Sequence, residues 1–295
     1  MTFTNSISME FSKEEPLSKH TSFRVGGPAE VFVRPKATDE FMEICRLCKT
    51  NDIPITILGD GTNVLVADAG LRGVVVCTNK MNEIEVLQDG RMRAQAGARL
   101  SKVAETACKA GFGGFEFASG IPGTVGGAIC MNAGAYDGEI SNFCESVTLF
   151  GSDCVYTKTA AEMGFGYRQS IVQQEKLLVL EAVFKLNSGG NPIEIKQKMH
   201  ELNGRRRETQ PLDFPSAGST FKRPTGYYAG TLIQDSGLKG FTIGGAQVSE
   251  KHAGFVINTG NATAQDIYNV IQAVRQQVFE KFSVWMEPEV KILGF

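Results

Sequence analysis

Two glycine-dense stretches constrain this chain more than any other feature. The first, Leu58-Gly59-Asp60-Gly61-Thr62-Asn63-Val64-Leu65, directly follows a predicted apolar strand. The second, Gly120-Ile121-Pro122-Gly123-Thr124-Val125-Gly126-Gly127-Ala128, runs on into Met131-Asn132-Ala133-Gly134-Ala135-Tyr136. Glycine accounts for 33 of 295 residues, about 11% against a usual ~7%. Such an excess without a collagen period means tight loops, or backbone that approaches a ligand closely. In both stretches backbone N–H groups can turn toward phosphate oxygens, and Thr and Asn add side-chain donors. Neither carries Gly-Lys-Ser/Thr, and neither has the Gly-x-Gly-x-x-Gly spacing of a dinucleotide turn. Tight turns alone would explain one such loop. Two in one half of the chain point to a diphosphate-bearing cofactor.

The flanking pattern predicts how the loops are carried. Residues 1–20 read as a polar lead-in. Ala29–Arg34, Ile55–Leu58 and Val74–Cys77 read as strands, and Asp39 can cap a helix through about Thr50, closed by Asn51-Asp52 and Pro54. Asp89-Gly90, between Ile84–Leu87 and Met92–Ala96, signals a hairpin, and Gly151-Ser152 signals another between Val147–Phe150 and Cys154–Thr157. Leu100, Val103, Ala104, Ala107 and Cys108 mark an amphipathic helix that stops at Gly111. Leu177–Leu186 is a long apolar strand. Asn191-Pro192 opens a helix ending in Arg205-Arg206-Arg207, a run that reads as a solvated helix terminus complementing the dipole. After the Pro-, Ser- and Gly-rich stretch Gln210–Gly226, Thr263 caps a last helix with Ile267, Val270, Ile271, Val274, Val278 and Phe282 on one face, and Val290–Leu293 closes the chain as a strand. Hairpins mixed with strand–helix units indicate an α+β chain, and at ~150 residues per domain its length suggests about two domains.

Charge and cysteine usage exclude several classes. Lys plus Arg is 30 and Asp plus Glu is 32, so there is no broad basic footprint and no nucleic-acid partner is expected. No run reaches the ~18 apolar residues of a membrane span, and the N-terminus has no apolar signal segment, so a cytoplasmic location is expected. Seven cysteines make a poor disulfide framework. Cys45 and Cys48 form a CxxC, but with Phe41 and Ile44 they occupy one helical face, which favours core over redox chemistry. His20, His200 and His252 lie far apart in sequence, and no metal site is expected.

Other polar residues stand in unusual company. Arg168, in Phe165-Gly166-Tyr167-Arg168-Gln169-Ser170, offers a planar fork for a carboxylate or phosphate, although a surface salt bridge would serve as well. Ser216-Ala217-Gly218-Ser219-Thr220-Phe221-Lys222 collects hydroxyls and a lysine among small residues, as a helix cap or turn also does. Glu289 at the entrance to the last strand and Lys239 in Gly237-Leu238-Lys239-Gly240 would, taken singly, be solvated surface charges. Residue chemistry alone therefore reaches an enzyme-like protein that binds a phosphorylated cofactor and an anionic substrate.

Taken in order, these stretches, from Thr21-Ser22-Phe23-Arg24-Val25-Gly26-Gly27 to Glu289-Val290-Lys291-Ile292-Leu293-Gly294, resemble the UDP-N-acetylenolpyruvoylglucosamine reductase family. These flavoenzymes make UDP-N-acetylmuramate for bacterial peptidoglycan. The resemblance implies an FAD-binding region of the PCMH (vanillyl-alcohol-oxidase-like) type in two subdomains over 21–188. It implies an α+β substrate-binding domain over 205–285 and a last strand, 286–295, returning to the first subdomain. It implies non-covalent FAD, held by Gly59, Asp60, Gly61, Thr62 and Asn63 from the first loop. The second loop would contribute Gly120, Ile121, Pro122, Gly123, Thr124, Gly126 and Gly127.

In such a family NADPH reduces the flavin, which then delivers hydride from N5 to C3 of the enolpyruvyl ether of UDP-N-acetylglucosamine. By the same resemblance Arg168 and Glu289 stabilise the enol-like charge, Ser219 protonates C2, and Tyr167 and Lys239 bind substrate. Nucleotide sugar is then the small-molecule partner, with no membrane partner and a monomeric chain expected. The chain departs from the pattern at Thr62, where many relatives carry Ser, and at Arg223, where some carry Asn. It passes from Arg168 almost directly into the strand at 177–186, so it matches the shorter subgroup that lacks a Tyr-bearing loop over the substrate. The alternatives are another PCMH-type flavin oxidoreductase acting on an alcohol or lactone, a nucleotide-sugar enzyme without flavin, and a catalytically silent flavin binder.

Overall fold

Apolar periodicity accounts for most elements of the computed structural model, which describes residues 9–295. In chain order the strands are β1 (Phe11–Pro16), β2 (Pro28–Val33), β3 (Ile55–Leu58), β4 (Val64–Val66), β5 (Leu71–Cys77), β6 (Ile84–Val86), β7 (Arg91–Gln95), β8 (Gly134–Ala135), β9 (Gly138–Glu139), β10 (Cys144–Gly151), β11 (Cys154–Thr159), β12 (Leu178–Lys185), β13 (Thr242–Ile243), β14 (Ala246–Val248), β15 (Val256–Asn258) and β16 (Lys291–Leu293). The helices are α1 (Thr38–Thr50), α2 (Leu100–Lys109), α3 (Val125–Met131), α4 (Ile171–Gln174), α5 (Pro192–Thr209), α6 (Ala229–Asp235) and α7 (Ala264–Phe282). The mixture is α+β, as its hairpins and strand–helix units predict. No helix among the described residues is long and apolar enough to cross a membrane.

The chain divides into two units. Among the described residues the larger comprises 9–11, Phe32–Asp60 and Val74–Arg206. Its main sheet has the order β11-β10-β12-β7-β6, antiparallel at every pairing. One core contains Met92 and Ala94 of β7, Val147 and Leu149 of β10, Ala182 and Phe184 of β12, and the apolar stripes of α2 and α3, with Phe115 at 1% exposure among them. Asp89 and Gly90, both at positive φ, make the turn between β6 and β7. The β10–β11 turn is Ser152-Asp153, both at positive φ, one residue later than Gly151-Ser152, because Gly151 already pairs with Cys154. In the same unit β3 runs parallel to β5, with Ile55 opposite Val74 and Leu58 opposite Cys77.

The helix α1 buries Phe41, Ile44, Cys45 and Cys48, the face that the CxxC spacing predicts. Burial pushes the Cys45 thiol up to about 12 and Cys48 to about 11, so neither is a thiolate at neutral pH. Asp39 sits within the first turn of α1, and the capping position is Ala37. The polar start at 1–20 contains β1 and a turn at Leu17–Lys19, whose Leu17 is fully buried. Its polar sequence hides a strand because no residue of β1 is buried. Residues 1–8 lie outside the described part.

The smaller unit comprises Ser12–Val31, Gly61–Gly73 and Arg207–Phe295. Here the antiparallel β13-β14-β15 sheet and α7 share a core of Ala246, Val248, Val256, Ile267, Val270, Ile271, Val274 and Val278, completed by Phe23, Leu65 and Met286. The final strand β16 pairs in parallel with β4, inside the first glycine-rich stretch. The start of α7 is fully capped. The Asp266 N–H donates to Thr263 Oγ1, and the Thr263 N–H donates to Asp266 Oδ2, each at 3.0 Å. The Ala264 and Gln265 N–H groups donate to the Asp68 carboxylate at 2.9 and 3.0 Å. These bonds satisfy three of the N–H groups that every helix start leaves without an internal partner.

The capping geometry generates a stability test. Hydrogen bonds from the Thr263 backbone and side chain and from the Gly245 N–H hold the Asp266 carboxyl below its ordinary pKa. A depressed folded-state pKa contributes stability above the unfolded value of about 4, lost as pH falls through the folded value. Thr263→Ala should cost about 1 kcal/mol, read as a lower denaturant midpoint at pH 7. Asp266→Asn should also destabilise at pH 7, and its difference from wild type should shrink below pH ~4. A difference independent of pH would refute the charged cap.

Candidate active site

In the larger unit, both glycine stretches meet around Thr124. The residue is 2% exposed, and its Oγ1 is buried with no hydrogen-bond partner among the described residues. A Cβ built on Gly59 would lie 2.4 Å from that oxygen, so only glycine fits beside it. Behind it the Val125 and Gly126 N–H groups donate to the Ala98 and Ala96 carbonyls, each at 2.8 Å. Gly126 thus serves close backbone packing, with Ala96 3.1 Å from its would-be Cβ. Gly127, by contrast, presents exposed backbone. An orphaned hydroxyl beside a side-chain-free cradle fits a guest bringing acceptor oxygens, as the diphosphate of FAD does. Sequence reading assigned this stretch wholly to a loop, but its second part is the helix α3.

That helix also positions Arg168. Its last cap, Asn132, is fully buried at φ 42°, and Asn132 Nδ2 donates to the Gly166 carbonyl at 3.1 Å. Gly166 and Gln169 exchange backbone hydrogen bonds at 3.2 and 3.3 Å, leaving Tyr167 and Arg168 at the tip of a tight turn. Arg168 takes a left-handed φ of 57°, uncommon for a non-glycine residue and imposed here by the tight turn. Its Nη2 donates to the Gly134 carbonyl at 3.2 Å, its Cζ lies 5.0 Å from the Tyr167 ring centroid, and Tyr167 is 52% exposed.

In the smaller unit, Ser219 and Glu289 are brought onto neighbouring segments. The Glu289 N–H donates to the Thr220 carbonyl at 2.8 Å, and the Lys222 N–H donates to the Glu287 carbonyl at 2.9 Å, flanking a bridge between Phe221 and Pro288. Thr220 is fully buried, and its Oγ1 accepts from the Val256 N–H at 3.0 Å, which locks the segment. Ser219 itself is exposed, next to Gly218 at φ 74°. The first loop joins this group through Asn63. Its Nδ2 donates to the Glu289 carbonyl at 3.2 Å, and its own carbonyl accepts from the Lys291 N–H at 3.0 Å. The Lys222 ammonium pairs with Glu287. Lys239 is exposed, and its charge adds to burial in keeping the His252 imidazole below its ordinary pKa. Arg223 stacks on Tyr228, 3.9 Å from the ring centroid.

The chain's basic run holds a residue that sequence reading missed. Arg206 is not a solvated helix terminus. Burial pushes its guanidinium below its ordinary pKa, and no carboxylate pairs with it among the described residues. It lies against the second loop, with its Cδ 3.4 Å from the would-be Cβ of Gly120, where Asn203 also bonds Ser119 at 3.2 Å. A half-buried arginine beside this loop is a candidate partner for an anion. Arg206→Met should leave the thermal midpoint of the cofactor-free protein unchanged or higher, while raising the FAD dissociation constant at least about tenfold. A lowered midpoint with unchanged FAD binding would make Arg206 a packing residue only.

Residues 29–155 match the FAD binding domain family, and residues 210–293 match the UDP-N-acetylenolpyruvoylglucosamine reductase C-terminal domain. The chain is 51% identical over 281 residues to the UDP-N-acetylenolpyruvoylglucosamine reductase of Caldanaerobacter subterraneus subsp. tengcongensis, covering 95% of this chain and 92% of that one. It is 50% identical over 282 residues to that of Clostridium botulinum, with the same coverage. Among solved structures, the UDP-N-acetylenolpyruvylglucosamine reductase of Thermus caldophilus matches with a TM-score of 0.80 at 32% identity, over 97% of this chain and 98% of that one. A Physcomitrella patens BBE-like protein, 16% identical with a TM-score of 0.50 over 64% of this chain and 45% of that one, shares the fold. With an FAD-binding domain, a reductase C-terminal domain and half-identical relatives along nearly its whole length, the chain belongs to the UDP-N-acetylenolpyruvoylglucosamine reductase family of FAD oxidoreductases.

Proposed function

We infer that this chain reduces the enolpyruvyl ether of UDP-N-acetylglucosamine to UDP-N-acetylmuramate, with NADPH as reductant, as a cytoplasmic monomer in cell-wall synthesis. The flavin region is assigned to 21–188 and the substrate domain to 205–285. The observation that supports this reading is the backbone bond from the Glu289 N–H to the Thr220 carbonyl, which brings the Glu289 main chain against the residue that follows Ser219. An alcohol or lactone oxidase of the same fold has no use for that pair.

When bound, FAD supplies the hydride relay, taking hydride from NADPH and passing it to C3 of the enolpyruvyl group. The chain's own residues then handle charge and proton. Negative charge grows at C2 and spreads into the adjacent carboxylate, and fixed cationic donors lower its cost. Arg168 is the candidate clamp, since its turn is held by Asn132 and by Gln173 Nε2, which donates to the Arg168 carbonyl at 3.2 Å. Ser219 gives its hydroxyl proton to C2. A serine hydroxyl is a weak acid in water, so its proton must be replaced through a neighbouring donor as it leaves. Glu289 serves in its protonated form or through a bridging donor, because an ionised carboxylate would repel the developing charge. Tyr167 and Lys239, both exposed, are assigned to substrate anions and sugar.

Half-reactions separate these roles. Anaerobic NADPH should bleach the yellow protein, and the enolpyruvyl substrate should restore the colour. Ser219→Ala should bleach at nearly the wild-type rate, since hydride transfer from NADPH needs no proton from Ser219. Its recovery of colour should be slower by roughly 10²–10⁴-fold, the usual worth of a positioned general acid, with partial rescue in Ser219→Cys. Recovery at the wild-type rate would remove Ser219 from the proton path. Failure of the substrate to restore colour in the wild-type protein would overturn the proposed reaction itself.

A further inference from the structure

Asp60 is out of place in a loop built for anions. Its side chain is only 14% exposed, and a carboxylate inside a phosphate cradle raises the cost of every phosphate that enters. The structure answers that charge with Arg99. Arg99 Nε donates to Asp60 Oδ2 at 2.8 Å, while the arginine side chain is itself 67% exposed. Among the described residues Asp60 is the acceptor that the guanidinium meets. The backbone of Arg99 meanwhile forms a β-bridge with Thr124, and the neighbouring Leu100 N–H donates to the Gly123 carbonyl at 3.0 Å. Arg99 therefore touches both glycine stretches, the second through its main chain and the first through its side chain.

We propose that Arg99 is a positioning residue of the cofactor site, whose guanidinium cancels the Asp60 carboxylate so that the first glycine loop accepts a dianionic diphosphate. The inference rests on the reading that the two loops hold the FAD diphosphate. An ion pair this exposed contributes little to folding. Its influence falls instead on a second anion brought within several ångströms, where an uncompensated charge shifts affinity by about an order of magnitude and salt screens the effect.

The test is titration of cofactor-free protein with FAD, followed by flavin fluorescence, beside thermal midpoints of the same proteins. Arg99→Gln should raise the FAD dissociation constant about tenfold at low ionic strength, with a smaller factor as salt is added. Arg99→Lys should recover most of the affinity. The double variant Asp60→Asn/Arg99→Gln should bind clearly more tightly than Arg99→Gln alone, because the uncompensated carboxylate is gone. Midpoints of the cofactor-free proteins should stay together. Wild-type affinity in Arg99→Gln, or a double variant as weak as Arg99→Gln, would overturn the proposal, the second result assigning Arg99 to direct ligand contact. Gly59→Ala reports on the underlying reading. If it weakens FAD binding while Arg99→Gln does not, only the role of Arg99 fails. If Gly59→Ala binds FAD as wild type does, the loop assignment fails first.

Discussion

The larger unit depends on one close backbone approach, where the end of the β7 segment meets the start of α3. Ala96 receives the Gly126 N–H, Ala98 receives the Val125 N–H, and the Ala96 N–H continues to the Leu180 carbonyl beside β12. A side chain at Gly126 would press on Ala96, so the contact exists only because that position is glycine. From this junction the rest follows. Thr124 is buried beside Gly59, the α3 backbone is aimed, and its last residue, Asn132, reaches the turn that carries Arg168. A short helix thus connects the second glycine stretch to the turn that carries Arg168.

The smaller unit solves a similar problem with strand-like pairing. Ser219 is exposed, while its neighbour Thr220 is locked by bonds from Val256 and Glu289, and Asn63 donates to the Glu289 carbonyl. Exposed reactive groups on buried, hydrogen-bonded supports are how a fold keeps chemistry accessible without losing geometry. Arg168 follows the same rule at its tight turn, which the surrounding bonds hold.

Charge placement has a different logic from packing. Arg206 is half-buried with its guanidinium held below its ordinary pKa, and Asp60 in the first glycine stretch accepts a hydrogen bond from Arg99. Both lie next to glycine, where the absence of a side chain lets a charged group approach backbone.

Much of this was legible from residues. The α1 and α7 faces, the hairpins, the capping Thr263 and the two glycine loops follow from periodicity and turn chemistry, which are local properties of the chain. The sequence also singled out Arg168, Ser219 and Glu289, though by resemblance to a family and not by spacing. The strand β1 escaped because it is polar and none of its residues is buried, and α3 escaped because two glycines lower helix propensity where tertiary bonds override it. Arg206 and the Asp60–Arg99 pair could not be read at all. Solvation and pairing depend on which distant segments meet: Arg206 is desolvated by contacts reaching back to Gly120, and Asp60 is neutralised by a residue 39 positions away. Local sequence determined which elements form and where the chain turns. Only the tertiary structure decided which charges are buried and which are paired, because electrostatic energy is set by distance through space and by exclusion of water.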